Sequence, residues 1–238
     1  MNFKTKYEAV RQRLVGSNAQ FKNVELLSYH LPKTAGTSLY LSLEEAYGAE
    51  RIKRVYEPKD HQPLTSGEPF WVSSSTRVLH GHFRPHPMHV IQFPNAKRII
   101  WVRDPIERCW SLLRHWLKLE NGKRYQIFKA KHIKTGNETP EELFDCLVND
   151  PEFVSLRLIY QTFMQNVEAN HFHFVGKAED FDNELKRLSD IVGKDLKSHA
   201  ANVNQINKDL PFKKADYYSH FESDYRFLED RFDIVYTV

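Results

Sequence analysis

Cysteine is nearly absent: Cys109 and Cys146 are the only two in 238 residues, and they form no Cys-x-x-Cys pair. Both sit in apolar helical contexts. They read as buried free thiols in a reducing compartment, not as a disulfide framework or a thiolate metal site. Long apolar runs are missing too, since no stretch approaches the roughly 18 residues that a membrane span needs. The opening residues Met1 to Tyr7 lack the apolar segment and cleavage site of a secretory leader, so the chain reads as cytoplasmic. Internal repeats, low-complexity tracts and domain-splitting linkers are all lacking. Charge of one sign is scarce: 34 Lys and Arg stand against 31 Asp and Glu, a net +3. That lean suits an anionic ligand and is too weak to argue for nucleic acid. What remains is an ordinary globular composition, 41% hydrophobic and 27% charged, long enough for one large α/β domain.

The stretch Tyr29-His-Leu-Pro-Lys-Thr-Ala-Gly-Thr-Ser38 organises the rest. An apolar run, Val24 to Ser28, precedes it at strand length. A segment of helical spacing, Leu39 to Ala46, follows and stops at Gly48. Strand, small-residue turn with a lysine, then helix is the layout of a phosphate cradle. The turn offers backbone N–H groups and the helix start adds partial positive charge. Lys33 adds a full charge, Thr34, Thr37 and Ser38 add hydroxyls, and Gly36 lets the backbone approach an anion. The order differs from a Walker A loop, whose lysine follows its second glycine. An ordinary turn between strand and helix is the competing reading.

Further strands are expected at Arg51 to Tyr56, Arg77 to His80, Lys97 to Val102, and His171 to Val175 with a stop at Gly176. Residues 57–69, with three prolines, read as a loop. So does the segment His80-Gly-His-Phe-Arg-Pro-His-Pro-Met-His89 once it passes Pro85 and Pro87. Asp104, Pro105 and Glu107 make a capping-box start for a helix reaching about Leu119. Its polar stripe holds Glu107, Arg108, Ser111, Arg114, His115 and Lys118, which reads as a solvated face. Residues 118–134 are basic with interleaved aromatics, a solvated surface or a platform for an acidic or sugar substrate. Helices follow from Thr139 to about Val148, from Asp150 (turning Leu156, Ile159, Tyr160 and Phe163 inward), from Glu179 to Val192 before Gly193, and from Ala215 to Phe232. A surface helix over 4–15 and an Asn-rich loop from Asn202 to Lys208 complete the reading. Strands alternating with helices, with a basic or small-residue turn at strand ends, argue for a doubly wound parallel sheet. In such a sheet the cradle, the histidine segment and Arg103 leave from the carboxyl edge.

Three segments carry a resemblance. Leu31-Pro-Lys-Thr-Ala-Gly-Thr-Ser38 is similar to the 5′-phosphosulfate loop of sulfotransferases, in particular the carbohydrate branch. Arg103-Asp-Pro-x-x-Arg-x-x-Ser111 resembles that family's 3′-phosphate segment. His80-Gly-His-Phe83 resembles the catalytic-histidine stretch of its uronosyl and glucosaminyl members. Weaker echoes lie at Ser155-Leu-Arg-Leu158, Phe174 to Glu179 and Asn202-Val-Asn204. The resemblance implies a P-loop-like central parallel sheet flanked by helices, a single domain over 1–238 with 1–20 as a helical extension. It implies 3′-phosphoadenosine 5′-phosphosulfate (PAPS) as donor, no metal, and a glycan or glycolipid acceptor. Lys33, Thr34, Ala35, Gly36, Thr37 and Ser38 would hold the 5′-phosphosulfate, and Arg103 and Ser111 the 3′-phosphate. Lys33 would also neutralise the departing oxygen. His82 would take the acceptor's proton, with His80 as a supporting or alternate base; two residues apart on a strand, the two share a face and the sequence does not choose between them. Arg84 and Arg157 are further candidate contacts. The Pro-rich stretch after Arg84 matches no family feature. Two other classes stay open: a nucleotide- or anion-binding module without turnover, and a metal-dependent hydrolase using His80, His82, His86 and His89.

Overall fold

The computed structural model describes residues 21–199 and 210–238. The expected helix over 4–15, the extension 1–20 and the Asn202 to Lys208 loop lie outside the described residues. In chain order the elements are β1 (Leu26–Tyr29), α1 (Gly36–Tyr47), β2 (Ile52–Val55), α2 (Pro58–Thr65), β3 (Val78–Gly81), α3 (Met88–Gln92) and β4 (Lys97–Val102). Then come α4 (Pro105–Leu119), α5 (Lys123–His132), α6 (Pro140–Asn149), α7 (Val154–Arg157), α8 (Ile159–Met164), β5 (Phe174–Lys177), α9 (Phe181–Val192) and α10 (Lys214–Phe232).

The described residues group into two compact units. The first takes 21–31, 35–102 and 166–199. It holds a five-stranded sheet in the order β2-β3-β1-β4-β5, every pairing parallel. The strands are short and apolar because a parallel sheet is covered on both faces. Leu26, Val78, Ile99, Trp101 and Phe174 meet Leu39 and Leu43 of α1 and Phe181, Leu185 and Leu188 of α9 in one buried layer. Each such side chain contributes about 1.5–3 kcal/mol by leaving water. The chain leaves β1 toward β2 on one side and leaves β4 toward β5 on the other. The carboxyl ends of adjacent β1 and β4 are therefore the switch point of the sheet, where such folds take ligands.

The second unit takes 32–34, 103–165 and 210–238 and is helical. Its core joins Ile106, Trp110 and Leu113 of α4, Phe128 of α5, Phe144 and Leu147 of α6, and Phe221 and Tyr225 of α10. Thr139 closes a full capping box with Glu142 at the start of α6, as its sequence predicts.

Several elements depart from expectation. Residues 57–69 contain α2, not only loop: Pro58 occupies the first turn, where its missing N–H costs nothing, and Pro63 lies inside the helix. Asp60 of α2 pairs with Lys53 of β2 at 2.9 Å. The segment after Pro87 forms a short helix, α3, because Pro87 already has helical backbone angles at its N-cap. The helix expected from Asp150 breaks at Leu158 (φ −92°, ψ 58°) into α7 and α8. Gly176 lies within β5 and does not end it. A Cβ there would come within 2.6 Å of the Phe174 ring and 3.1 Å of Trp101, so this glycine makes room for aromatic packing.

At the end of β1, the buried Tyr29 hydroxyl lies 3.0 Å from His89 Nδ1 and 3.0 Å from His171 Nε2. His89 Nε2 donates to the Leu64 carbonyl at 3.0 Å, so its Nδ1 must accept. Tyr29 therefore donates to His89 and accepts from His171. All three side chains are buried, and the direction of every proton in the chain is set.

These imidazoles make the fold acid-sensitive. Burial holds His80 and His89 down to about 3 and His171 down to about 4. The unfolded chain protonates the rings near 6.5 and the native one does not. Stability is therefore intact above that pH and is lost as pH falls through it, by up to roughly 1.4 kcal/mol per unit for each ring. Asp224 opposes this, because burial raises its carboxyl to about 6. One carboxyl against three rings leaves a net loss. Lowering pH from 7 to 5 is expected to reduce Tm by about 5 °C or more; an unchanged Tm over that range would refute the neutral, buried rings.

Candidate active site

The loop after β1 is held in an unusual backbone shape. Lys33 (φ 74°) and Ala35 (φ 64°) both take left-handed angles, which cost a residue with a Cβ about 1–3 kcal/mol. Left-handed residues alternating with others point successive amides into one concavity, an anion nest. Ala35 is also the N-cap of α1 and supplies no side-chain cap to the first amides of that helix. Thr34 and Ser38 are buried and Thr37 is exposed.

Lys33 is half-buried. Loss of water lowers its pKa first, and the positive charges of Arg103 and Lys118 lower it further. His115 is lowered for the same reasons, burial and then Lys33 and Lys118. Among the described residues neither Lys33 nor Lys118 takes part in an ion pair.

Arg103 stands between β4 and α4 with little exposure. Its Nη2 meets Glu107 Oε2 at 3.3 Å, and its buried Nε has no partner among the described residues. Asp104 caps α4 by accepting from the Glu107 amide at 3.0 Å. The Glu107 carboxylate does not close the box; Lys214 holds it at 2.8 Å and also reaches Asp104 at 3.0 Å. Burial resists the charge on Glu107, but Lys214 and Arg103 outweigh it and keep the carboxyl below its ordinary range. The Tyr225 hydroxyl sits 3.0 Å from both Asp104 oxygens. Ser111 is half-buried further along α4. Arg108, expected on the polar stripe, is fully buried: its Nη2 donates to the Leu156 carbonyl and its charge faces Asp224. Arg157 is engaged as well, with the Val148 carbonyl at 2.6 Å and His220 Nδ1 at 3.0 Å. The backbone N–H of Arg84 donates to Thr65 at 3.1 Å.

The histidines part company. Sheet register sets His80 beside Ser28 on one side and Arg54 on the other. His80 is fully buried, with Nδ1 2.9 Å from the Ser28 hydroxyl. His82 lies just past the end of β3 and is exposed. Its ring packs on His30 (centroids 4.8 Å apart) and on the edge of Tyr56 (4.7 Å). Loss of water around the ring, and then His61, push its pKa below the ordinary histidine value. His30 also stacks on His80 at 5.3 Å and shares a 3.0 Å hydrogen bond with the Tyr56 hydroxyl. His86 instead accepts from the Met88 amide at 3.2 Å, and His89 belongs to the Tyr29 chain. Among the described residues no three His, Cys, Asp or Glu are gathered to hold a metal ion.

Gly36 joins the loop to these rings. A Cβ on it would fall 1.8–2.2 Å from atoms of the His30 ring. His30 and, through it, Tyr56 therefore adjoin the start of α1, while His115 and Lys118 crowd Lys33; the motifs pick out none of the four. His30 was inside the loop stretch. His115 and Lys118 were on the polar stripe, and only like-charge crowding around Lys33 separates them from a solvated face.

A sequence model described as "Sulfotransferase family" matches residues 21–230. No curated protein matches the chain by sequence. Among solved structures, a sulfotransferase from Alicyclobacillus acidocaldarius is 13% identical over 87% of this chain and 94% of its own, with a TM-score of 0.46. Mouse sulfotransferase SULT7A1 complexed with PAP is 14% identical over 83% and 72%, at 0.36. Retinol dehydratase in complex with androsterone and inactive cofactor PAP is 15% identical over 75% and 61%, at 0.34. These scores lie below 0.5, so family membership rests on the sequence model. Among the described residues no helix is long and apolar enough to cross a membrane.

The contact at Gly36 is open to test. Gly36→Ala should cost about 1–3 kcal/mol by overpacking, and adding His30→Ala should restore most of it. Equal Tm for wild type and Gly36→Ala would contradict the packing of His30 against the loop.

Proposed function

This chain belongs to the sulfotransferase family, and we propose that it moves a sulfuryl group from PAPS to a hydroxyl of a carbohydrate or glycolipid acceptor. One observation carries the donor reading: Lys33 is half-buried and set among like charges, and among the described residues no carboxylate pairs with it. Such a cluster is relieved by a multiply charged anion. The buried Nε of Arg103, without a partner among the described residues, fits the same ligand.

When bound, the donor supplies an activated sulfuryl group whose bond to the phosphate oxygen breaks as the acceptor oxygen attacks sulfur. The chain's own part is positioning and charge. Lys33, with the amides from Ala35 to Ser38, would hold the 5′ end, and Lys33 would neutralise the oxygen that leaves. Arg103 and Ser111 would hold the 3′-phosphate, the group that sets this donor apart from ATP. His82 would accept the acceptor's proton. Its exposure favours it over His80, whose ring is closed off and engaged with Ser28, and a pKa below the ordinary value keeps the His82 ring neutral. The neutral ring is the form that accepts a proton. The divergent partners of His80, His82, His86 and His89 weigh against the metal-hydrolase reading, and an exposed, neutral imidazole favours catalysis over a passive binding module.

Two measurements test the proposal. PAP, the desulfonated donor, at about a hundred times its Kd should add about 2.7 kcal/mol of stability and raise Tm by roughly 5–10 °C, while ATP does little. The absence of any PAP shift at high concentration would sink the donor assignment. His82→Ala should keep the PAP shift and lose about 10²–10⁴-fold in transfer with labelled donor; undiminished turnover would remove His82 from its role. For the wild type, the acid limb of kcat/KM should fall below the ordinary histidine range near pH 6.5.

A further inference from the structure

We propose that Tyr160 is the positioning residue for Arg103, its hydroxyl locking the Arg103 peptide so that the guanidinium is presented to the donor's 3′-phosphate. The inference rests on the donor reading above. Arg103 lies between the last residue of β4 and the N-cap of α4, where neither a strand ladder nor a helix serves its backbone. One side chain serves both of its groups. The Arg103 N–H donates to the Tyr160 oxygen at 2.8 Å, and the Tyr160 O–H donates to the Arg103 carbonyl at 2.6 Å. A single hydroxyl bonded on both sides of one Cα fixes that residue's orientation more tightly than one bond would. Tyr160 is fully buried, so water does not compete for either bond.

The clamp is itself tethered. The break at Leu158 exposes the first amides of α8, which no side chain within α8 caps. Asp224 of α10 accepts them instead, from Tyr160 at 3.0 Å and Gln161 at 3.2 Å. Asp224 is fully buried, and the buried Arg108 supplies opposing charge while its Nη2 holds the Leu156 carbonyl. A line of bonds therefore runs from Asp224 through Tyr160 to the Arg103 backbone, in residues far apart in sequence. Among the described residues the Arg103 side chain has the 3.3 Å contact to Glu107 and a buried Nε without a partner. A fixed guanidinium suits two-pronged recognition of a phosphate.

The test compares PAP with adenosine 5′-monophosphate, which lacks the 3′-phosphate, by titration calorimetry. Wild type should prefer PAP. Tyr160→Phe should lose about tenfold of that preference while its affinity for the monophosphate stays the same, an outcome that general loosening of the fold would not give. If wild type itself shows no preference, the donor reading fails. If wild type discriminates and Tyr160→Phe discriminates equally, the positioning role is overturned and the donor reading stands. Hydrogen exchange on the wild-type protein tests the clamp without a variant: the Arg103 amide should be protected in the free protein, and rapid exchange there would overturn the proposal even if Tyr160→Phe did not fold.

Discussion

Two effects oppose the charge on Lys33, removal of water and the nearby charges of Arg103 and Lys118. Among the described residues no carboxylate pairs with it. A half-buried cation in like company is costly in the free protein and favourable once an anion arrives. The left-handed backbone at Lys33 and Ala35 belongs to the same pattern. Backbone strain of this kind persists only where surrounding structure holds it.

Two buried carboxylates gather the polar groups of the helical unit. Asp104 caps α4 and gathers Lys214 and Tyr225. Asp224 gathers the amides of α8 and the charge of Arg108. Each is buried and each accepts from several donors; for Asp224 burial still outweighs them and raises the carboxyl. Both networks end on α10, so the last helix frames a segment that begins far earlier in the chain. Hydrophobic packing of Phe221 and Tyr225 against α4 brings the helix there; the polar bonds decide its register.

Much of this was legible from residue order. The apolar run of β4, the Asp104-Pro105 start of α4, the Thr139 box and the stop at Gly193 each follow from local chemistry, and each appears where expected. Where the reading missed, a tertiary contact had overruled a local signal. Three prolines suggested loop over 57–69, yet a proline in the first turn of α2 and the Lys53–Asp60 pair allow a helix. Gly176 read as a stop, and serves instead to seat Phe174 and Trp101. Arg108 read as part of a solvated stripe because helical periodicity places it there; a buried Asp224 draws it inward.

Local order was enough to specify a strand, a lysine-bearing turn and a helix, a second basic segment after β4, and histidines past β3, because capping, periodicity and apolar runs act over a few residues. It could not separate His80 from His82, since two positions on one strand look alike until register sets one beside Ser28 and leaves the other at the end of β3 among His30 and Tyr56. Nor could it show that Tyr160 grips Arg103 or that Asp224 holds Tyr160, because those bonds join residues that share no local pattern. Only the packing of the helices brings them within hydrogen-bond reach.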